Sequence, residues 1–121
     1  MKKIMIIDDE LDILDVLKQF LKRSDKLQIE THSNPDVALQ MAKNGGYDLI
    51  LSDIMMPSTN GIDILKEIKK INPNIKVILM TAYSTEAKVK ESKQEGVDAF
   101  IQKPFDSLKS VENTIFSIIG E

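Results

Sequence analysis

DLILSDIMMP, residues 48–57, sets an aspartate at the point where an apolar run stops. Leu49, Ile50 and Leu51 are three consecutive aliphatic residues, the mark of a strand covered on both faces. Ser52 and Asp53 follow at once, and then Ile54, Met55, Met56 and Pro57. A carboxylate at the lip of so apolar a segment needs a reason, and the rest of the chain supplies one. Four further runs resemble this one: KIMII near the start, LQIET at 27–31, IKVILMT at 75–81 and DAFIQ at 98–102. All but LQIET are apolar enough for strands with two dry faces. LQIET alternates Leu27, Gln28, Ile29, Glu30, as an edge strand with one wet face does.

Helical spacing fills the intervals. Leu14, Leu17 and Leu21 share a face, as do Ile64, Leu65, Ile68 and Ile71, and again Leu108, Val111, Ile115 and Ile118. Asn34-Pro35 predicts an N-cap followed by proline at the first helical position. Gly45-Gly46 and Gly96 predict helix exits. The segment 84–95 is unusual, because only Ala87 and Val89 offer apolar anchorage, with Glu86 and Lys90 spaced to pair. Strand and helix alternating five times predict an α/β fold with a parallel sheet. Residues 1–121 are expected to form a single domain, a fitting length for one core.

The composition narrows the function. At 42% hydrophobic and 29% charged, the chain is an ordinary globular one. A net charge of −3 gives no basic face, so no nucleic acid is expected to bind through this domain. The absence of cysteine excludes disulfides, thiolate metal sites and thiol catalysis. The apolar run at the N-terminus meets Asp8 and Asp9 too early for a secretory signal. No window approaches the roughly 18 apolar residues of a membrane span. A cytoplasmic protein with no membrane association is the expectation.

Ligands of open parallel sheets bind beyond the carboxyl ends of the strands. The first run ends in Asp8 and Asp9, the third in Asp53, the fourth in Thr81, and the fifth leads to Lys103-Pro104. Singly, each has a plain explanation: Asp8 or Asp9 as a helix cap, Asp53 as a turn residue, Thr81 as a strand end, Lys103 as a solvated lysine. Their joint placement points elsewhere. Clustered carboxylates hold a proton or a cation, and a set of oxygen ligands favours Mg²⁺. A metal, a lysine and a hydroxyl around one carboxylate describe phosphoryl transfer onto it. Asp48 and Asp98 begin strands at the opposite edge and read as turn residues, and His32 reads as a surface histidine.

With these residues assembled, the chain resembles the receiver domain of two-component response regulators over roughly residues 2–119. IIDDE at 6–10, LILSDIMMPSTNG at 49–61, VILMTAY at 77–83 and FIQKPFD at 100–106 carry the resemblance. It implies a flavodoxin-like, doubly wound sheet of five parallel strands in the order 2-1-3-4-5, flanked by five helices. It implies that Asp53 accepts a phosphoryl group from a histidine kinase or histidine phosphotransfer domain. Asp9 would ligate Mg²⁺ directly, Asp8 through a water and Met55 through its carbonyl, with Asp53 also in the metal set. The amides of Met55 and Ala82, the Thr81 hydroxyl and the Lys103 ammonium would face the phosphoryl oxygens, and Lys103-Pro104 would be cis. Thr81 and Phe100 would form the switch, relaying phosphorylation to the face of the fourth helix, fifth strand and fifth helix, where a downstream protein target binds. Ile13, Val16, Pro104 and Phe105 would dock the phosphodonor. Met55 and Tyr83 occupy positions that in that family influence how water reaches the acyl phosphate.

Such a protein is a switch that catalyses only its own phosphorylation and dephosphorylation. An aspartyl-phosphate phosphatase is the enzymatic rival, but it would carry DxD after its first core strand, and Met55 stands where the second acid belongs. A flavin carrier would need a phosphate loop where DDE stands at 8–10. Ending at Gly120-Glu121, the chain reads as a stand-alone regulator or as the receiver portion excised from a longer DNA-binding one.

Overall fold

A computed structural model of the protein describes residues 1–57, 59–82 and 85–120. The five runs are strands: β1 (Lys2–Ile7), β2 (Leu27–His32), β3 (Leu49–Asp53), β4 (Lys76–Thr81) and β5 (Ala99–Gln102). They alternate with α1 (Leu11–Leu21), α2 (Pro35–Asn44), α3 (Gly61–Ile71), α4 (Glu86–Gln94) and α5 (Leu108–Ile119). All pairings are parallel, in the order β2-β1-β3-β4-β5. Sequence order reverses direction between β1 and β3, which opens a crevice above their carboxyl ends.

The continuous apolar character of the inner strands follows from serving two cores at once. Met5, Ile7, Ile50, Val77 and Leu79 face a cluster shared with α2 and α3. Ile4, Ile6, Leu49, Leu51, Ile78 and Met80 face the cluster shared with α1 and α5. β2 is an edge, as its alternation predicts. β5 departs from expectation: it is the other edge, and only Ile101 along it is buried. A short apolar run therefore did not signify two dry faces there.

Local signals set the helix boundaries. Asn34 Oδ1 accepts from the amides of Asp36 (2.9 Å) and Val37 (3.3 Å), with Pro35 opening α2. Asn60 caps α3 through the amide of Asp63, at 2.9 Å. Ser107 and Ser110 close a reciprocal capping box on α5. Helix α4 is capped by Thr85 but is poorly anchored. Ala87 is exposed, Val89 is half-buried, and Ser92 is the one buried side chain of the helix. No Glu86–Lys90 pair forms among the described residues. Glu91 instead reaches across to Lys66 on α3, at 3.2 Å.

The opposite edge of the sheet is more than a set of turns. Asp48 accepts from the amide of Lys3 at 2.8 Å. Asp98 accepts from the amide of Val77 at 2.8 Å and from Lys69 Nζ at 3.0 Å. Each carboxylate ties its strand's start to the neighbouring element, satisfying amides that the ladder leaves open. His32 is likewise not a plain surface residue: it is half-buried, and its Nε2 is enclosed with no partner among the described residues.

Candidate functional site

Three carboxylates converge at the carboxyl edge of the sheet. Asp8 and Asp9 leave β1, Asp53 ends β3, and one oxygen from each lies within 4.8 Å of the others. Asp8 is wholly enclosed and Asp53 is 5% exposed, whereas Asp9 opens to solvent. Capping does not account for this pair of acids. The N-cap of α1 is Glu10, without a side-chain cap, and Asp8 Oδ1 accepts from the Glu10 amide at 2.9 Å.

Lys103, carried in by the loop after β5, is 8% exposed. Its Nζ lies 2.6 Å from Asp8 Oδ2 and 3.4 Å from Asp53 Oδ2. The peptide between Lys103 and the exposed Pro104 is cis. The ammonium thus binds the two enclosed carboxylates and leaves Asp9 to face the crevice. Burial works against the charge on Lys103, but its hydrogen bond to Asp8 and the fields of Asp8 and Asp53 prevail and raise its pKa. Burial also raises the pKa of Asp53, with Asp8 adding to the rise. Lys103 and a hydrogen bond from the Met55 amide oppose it. Acid outnumbers base in this cluster, and a hard divalent cation fits its all-oxygen donor set.

The strand end that presents Asp53 is held from behind. Ser52 Oγ donates to the Asp53 carbonyl at 3.0 Å, and the Ile54 amide donates to the Met80 carbonyl at 3.0 Å. The Gly61 amide donates to the Ile54 carbonyl at 2.8 Å, and Met55 bridges to Asn60. A Cβ on Gly61 would lie 2.3 Å from the Asp53 carbonyl oxygen and 2.9 Å from Ile54 Cα. In the sequence Gly61 only closes the motif LILSDIMMPSTNG, with nothing to mark it as a contact. Its close approach to the Asp53 backbone depends on tertiary packing.

Thr81 ends β4 buried, and its carbonyl accepts from the Lys103 amide at 2.8 Å. Ala82 stands exposed just beyond it, and Tyr83 lies outside the described residues. Leu79 pairs with Phe100 and Thr81 with Gln102, so Thr81 and Phe100 lie on the same face of the sheet, one step apart. Phe100 is half-buried against the cluster that includes Leu79.

The expected docking residues divide. Val16 is 46% exposed and Pro104 is exposed, while Ile13 and Phe105 are half-buried against the core that α1 and α5 share. Leu11, exposed at the start of α1, lies outside the stripe read from sequence. Met55 is also exposed, and its Sδ receives Lys88 Nζ of α4 at 3.1 Å, a contact that sequence reading missed.

A doubly wound parallel sheet bearing an acidic triad and a buried lysine at its switch-point crevice defines a phosphoacceptor class of protein. Residues 4–114 match the response regulator receiver domain, and the chain belongs to that family. It is 35% identical over 111 residues to the chemotaxis protein CheY of Thermotoga maritima, covering 92% of each chain. It is 38% identical over 105 residues to the transcriptional regulatory protein ResD of Bacillus subtilis, of which it spans 42%. Among solved structures, the CheY-like response regulator receiver domain protein from Methanospirillum hungatei superposes with a TM-score of 0.94. That comparison covers 99% of this chain and 94% of the other, at 29% identity. The chain is therefore a receiver domain of two-component response regulators, and it spans less than half the length of several curated relatives it matches. Its family takes phosphoryl groups from histidine kinases and acts on downstream targets.

Proposed function

We propose that Asp53 is the phosphoacceptor of this receiver and that residues 1–121 act as one switching domain. The observation that carries this reading is Asp53 enclosed beside Asp8 and Asp9, with Lys103 Nζ 3.4 Å from its carboxylate. In the reaction an Asp53 oxygen attacks the phosphorus of a phosphohistidine, the P–N bond breaks, and the imidazole leaves with that electron pair. Lys103 neutralises charge on the transferred group. The Thr81 hydroxyl and the amides of Met55 and Ala82 are the donors that meet its oxygens.

The carboxylates of Asp8, Asp9 and Asp53, whose oxygens lie within 4.8 Å of one another, would hold Mg²⁺ together with the Met55 carbonyl, and the ion would supply charge neutralisation for the transfer. The Met55 amide already donates to the Asp53 carboxylate, so it needs only to change acceptor. Hydrolysis of the acyl phosphate returns the domain to rest, and no other turnover is assigned.

Val16 and Pro104, flanked by Ile13 and Phe105, form the docking patch for the phosphodonor. Phe100 and Thr81, neighbours on one sheet face, relay the state of Asp53 to the face of α4, β5 and α5. A cytoplasmic setting is part of this reading; among the described residues no helix is long and apolar enough to cross a membrane. The test is phosphorylation by a small acyl-phosphate donor, read by intact mass. The expected result is one phosphoryl group, dependent on Mg²⁺ and absent from Asp53→Ala. Equal labelling of Asp53→Ala would overturn the assignment.

A further inference from the structure

The contact between Lys88 and Met55 is not required by the fold. A thioether is a weak acceptor, and an ammonium ordinarily seeks water or a carboxylate. Other lysines here behave so: Lys66 finds Glu91, Lys69 finds Asp98, Lys103 finds Asp8 and Asp53. Lys88 Nζ rests 3.1 Å from Met55 Sδ and has no other partner among the described residues. Met55 is two residues from Asp53, a span of at most about 7 Å of chain, and its amide donates to the Asp53 carboxylate. The ammonium is therefore held beside the mouth of an acidic site, on a flexible four-carbon stem, by a bond that is easily given up.

We propose that Lys88 is a phosphoryl-binding residue that links the charge on Asp53 to the position of α4. The proposal rests on Asp53 being the phosphoacceptor. Phosphorylation adds negative charge and three strong acceptor oxygens to a cluster in which acid already exceeds base. Lys88 exchanges the Met55 sulfur for one of those oxygens, a charge-assisted bond in place of a weak one. The movement reaches the helix through the main chain. The Lys88 amide donates to the Thr85 cap at 3.2 Å, and its carbonyl accepts from Ser92 Oγ at 2.8 Å. Ser92 is the one buried side chain of α4, and the half-buried Val89 is its main apolar anchor, so little resists displacement of the helix. The ion pair of Glu91 with Lys66 ties α4 to α3 across a solvated surface and yields readily.

Beryllofluoride with Mg²⁺, as an acyl-phosphate mimic, supplies the probe, followed by amide spectra of the wild type, Lys88→Met and Lys88→Arg. Lys88 is only partly enclosed, so these variants keep the fold, checked by their unliganded spectra. The expected result in Lys88→Met is apparent affinity reduced about tenfold, the loss of one charged hydrogen bond. Shifts at residues 53–56 persist, while those across 86–94 fall to less than half. Lys88→Arg restores both. Unchanged affinity and unchanged α4 shifts in Lys88→Met would overturn the role of Lys88 alone. A wild type whose residues 53–56 ignore the mimic would overturn the phosphoacceptor reading and this proposal with it.

Discussion

Asp53 is held in a state that the fold resists. Burial disfavours its ionised form and raises its pKa above the ordinary 3.8. Without Mg²⁺, ionised Asp53 therefore lowers folded-state stability at neutral pH. The sign follows from proton binding: below 3.8 the carboxyl is protonated whether folded or unfolded, and the penalty is absent. It grows as pH rises through the raised folded value and is complete above it. Asp53→Asn is accordingly expected to raise the urea midpoint in EDTA at neutral pH, with a gain that shrinks on acidification and vanishes below 3.8. A gain independent of pH, or a loss, would contradict the account. Sequence reading found Asp53, Asp8, Asp9, Thr81 and Lys103 because strand ends are visible as the points where apolar runs stop. It did not reveal that Lys103 binds Asp8 more closely than Asp53, since that depends on how the loop after β5 enters the crevice.

Helices were legible in proportion to their burial. The stripes on α1, α3 and α5 lie where the spacing places them, and Asn34-Pro35 caps α2 as expected. What spacing could not show is how a helix without a stripe is held, or which glycine touches a neighbour. Helix α3 encloses Ile62, Ile64, Leu65 and Ile68, while α4 encloses only Ser92. Each fully buried aliphatic side chain contributes about 1.5–3 kcal/mol, so α4 should open locally at several kcal/mol lower cost than α3. Native-state amide exchange should show protection about a hundredfold or more weaker in 89–94 than in 65–71, and equal protection would refute the reading. Gly61 presents the converse case, an element start that tolerates no side chain. Gly61→Ala drives a Cβ to 2.3 Å from the Asp53 carbonyl oxygen, so the backbone of the β3–α3 connection has to shift. The expected cost is about 1–3 kcal/mol of stability, with at least tenfold slower phosphorylation because Asp53, the proposed nucleophile, loses its alignment when displaced. Unfolding midpoints together with the phosphorylation rate decide it, and a variant normal in both would show the connection to be slack.

Across the whole molecule, the crevice is where the ends of β1, β3 and the loop after β5 are brought together, and Lys103 offsets only part of the charge of the three carboxylates gathered there. The opposite edge shows the contrast: Asp48 and Asp98 close hydrogen bonds to strand amides and need no metal. Those two roles escaped sequence reading because a carboxylate that caps the next strand is visible only once the register is known. With Mg²⁺ held there as proposed, folding and Mg²⁺ binding become linked equilibria at the carboxyl edge. A ligand that binds only the folded state stabilises it by about 2.7 kcal/mol at a hundredfold excess over its Kd, which in a domain of this size raises Tm by on the order of 10 °C. Asp9 separates this linkage from simple screening, because it is exposed, has no hydrogen bond among the described residues and is the carboxylate most open to an entering ion. Asp9→Asn should leave the Tm in EDTA nearly unchanged while abolishing most of the rise with Mg²⁺. Matched monovalent salt should not reproduce that rise in the wild type. A rise equal in the wild type and Asp9→Asn would mean that the three carboxylates do not act on the ion together.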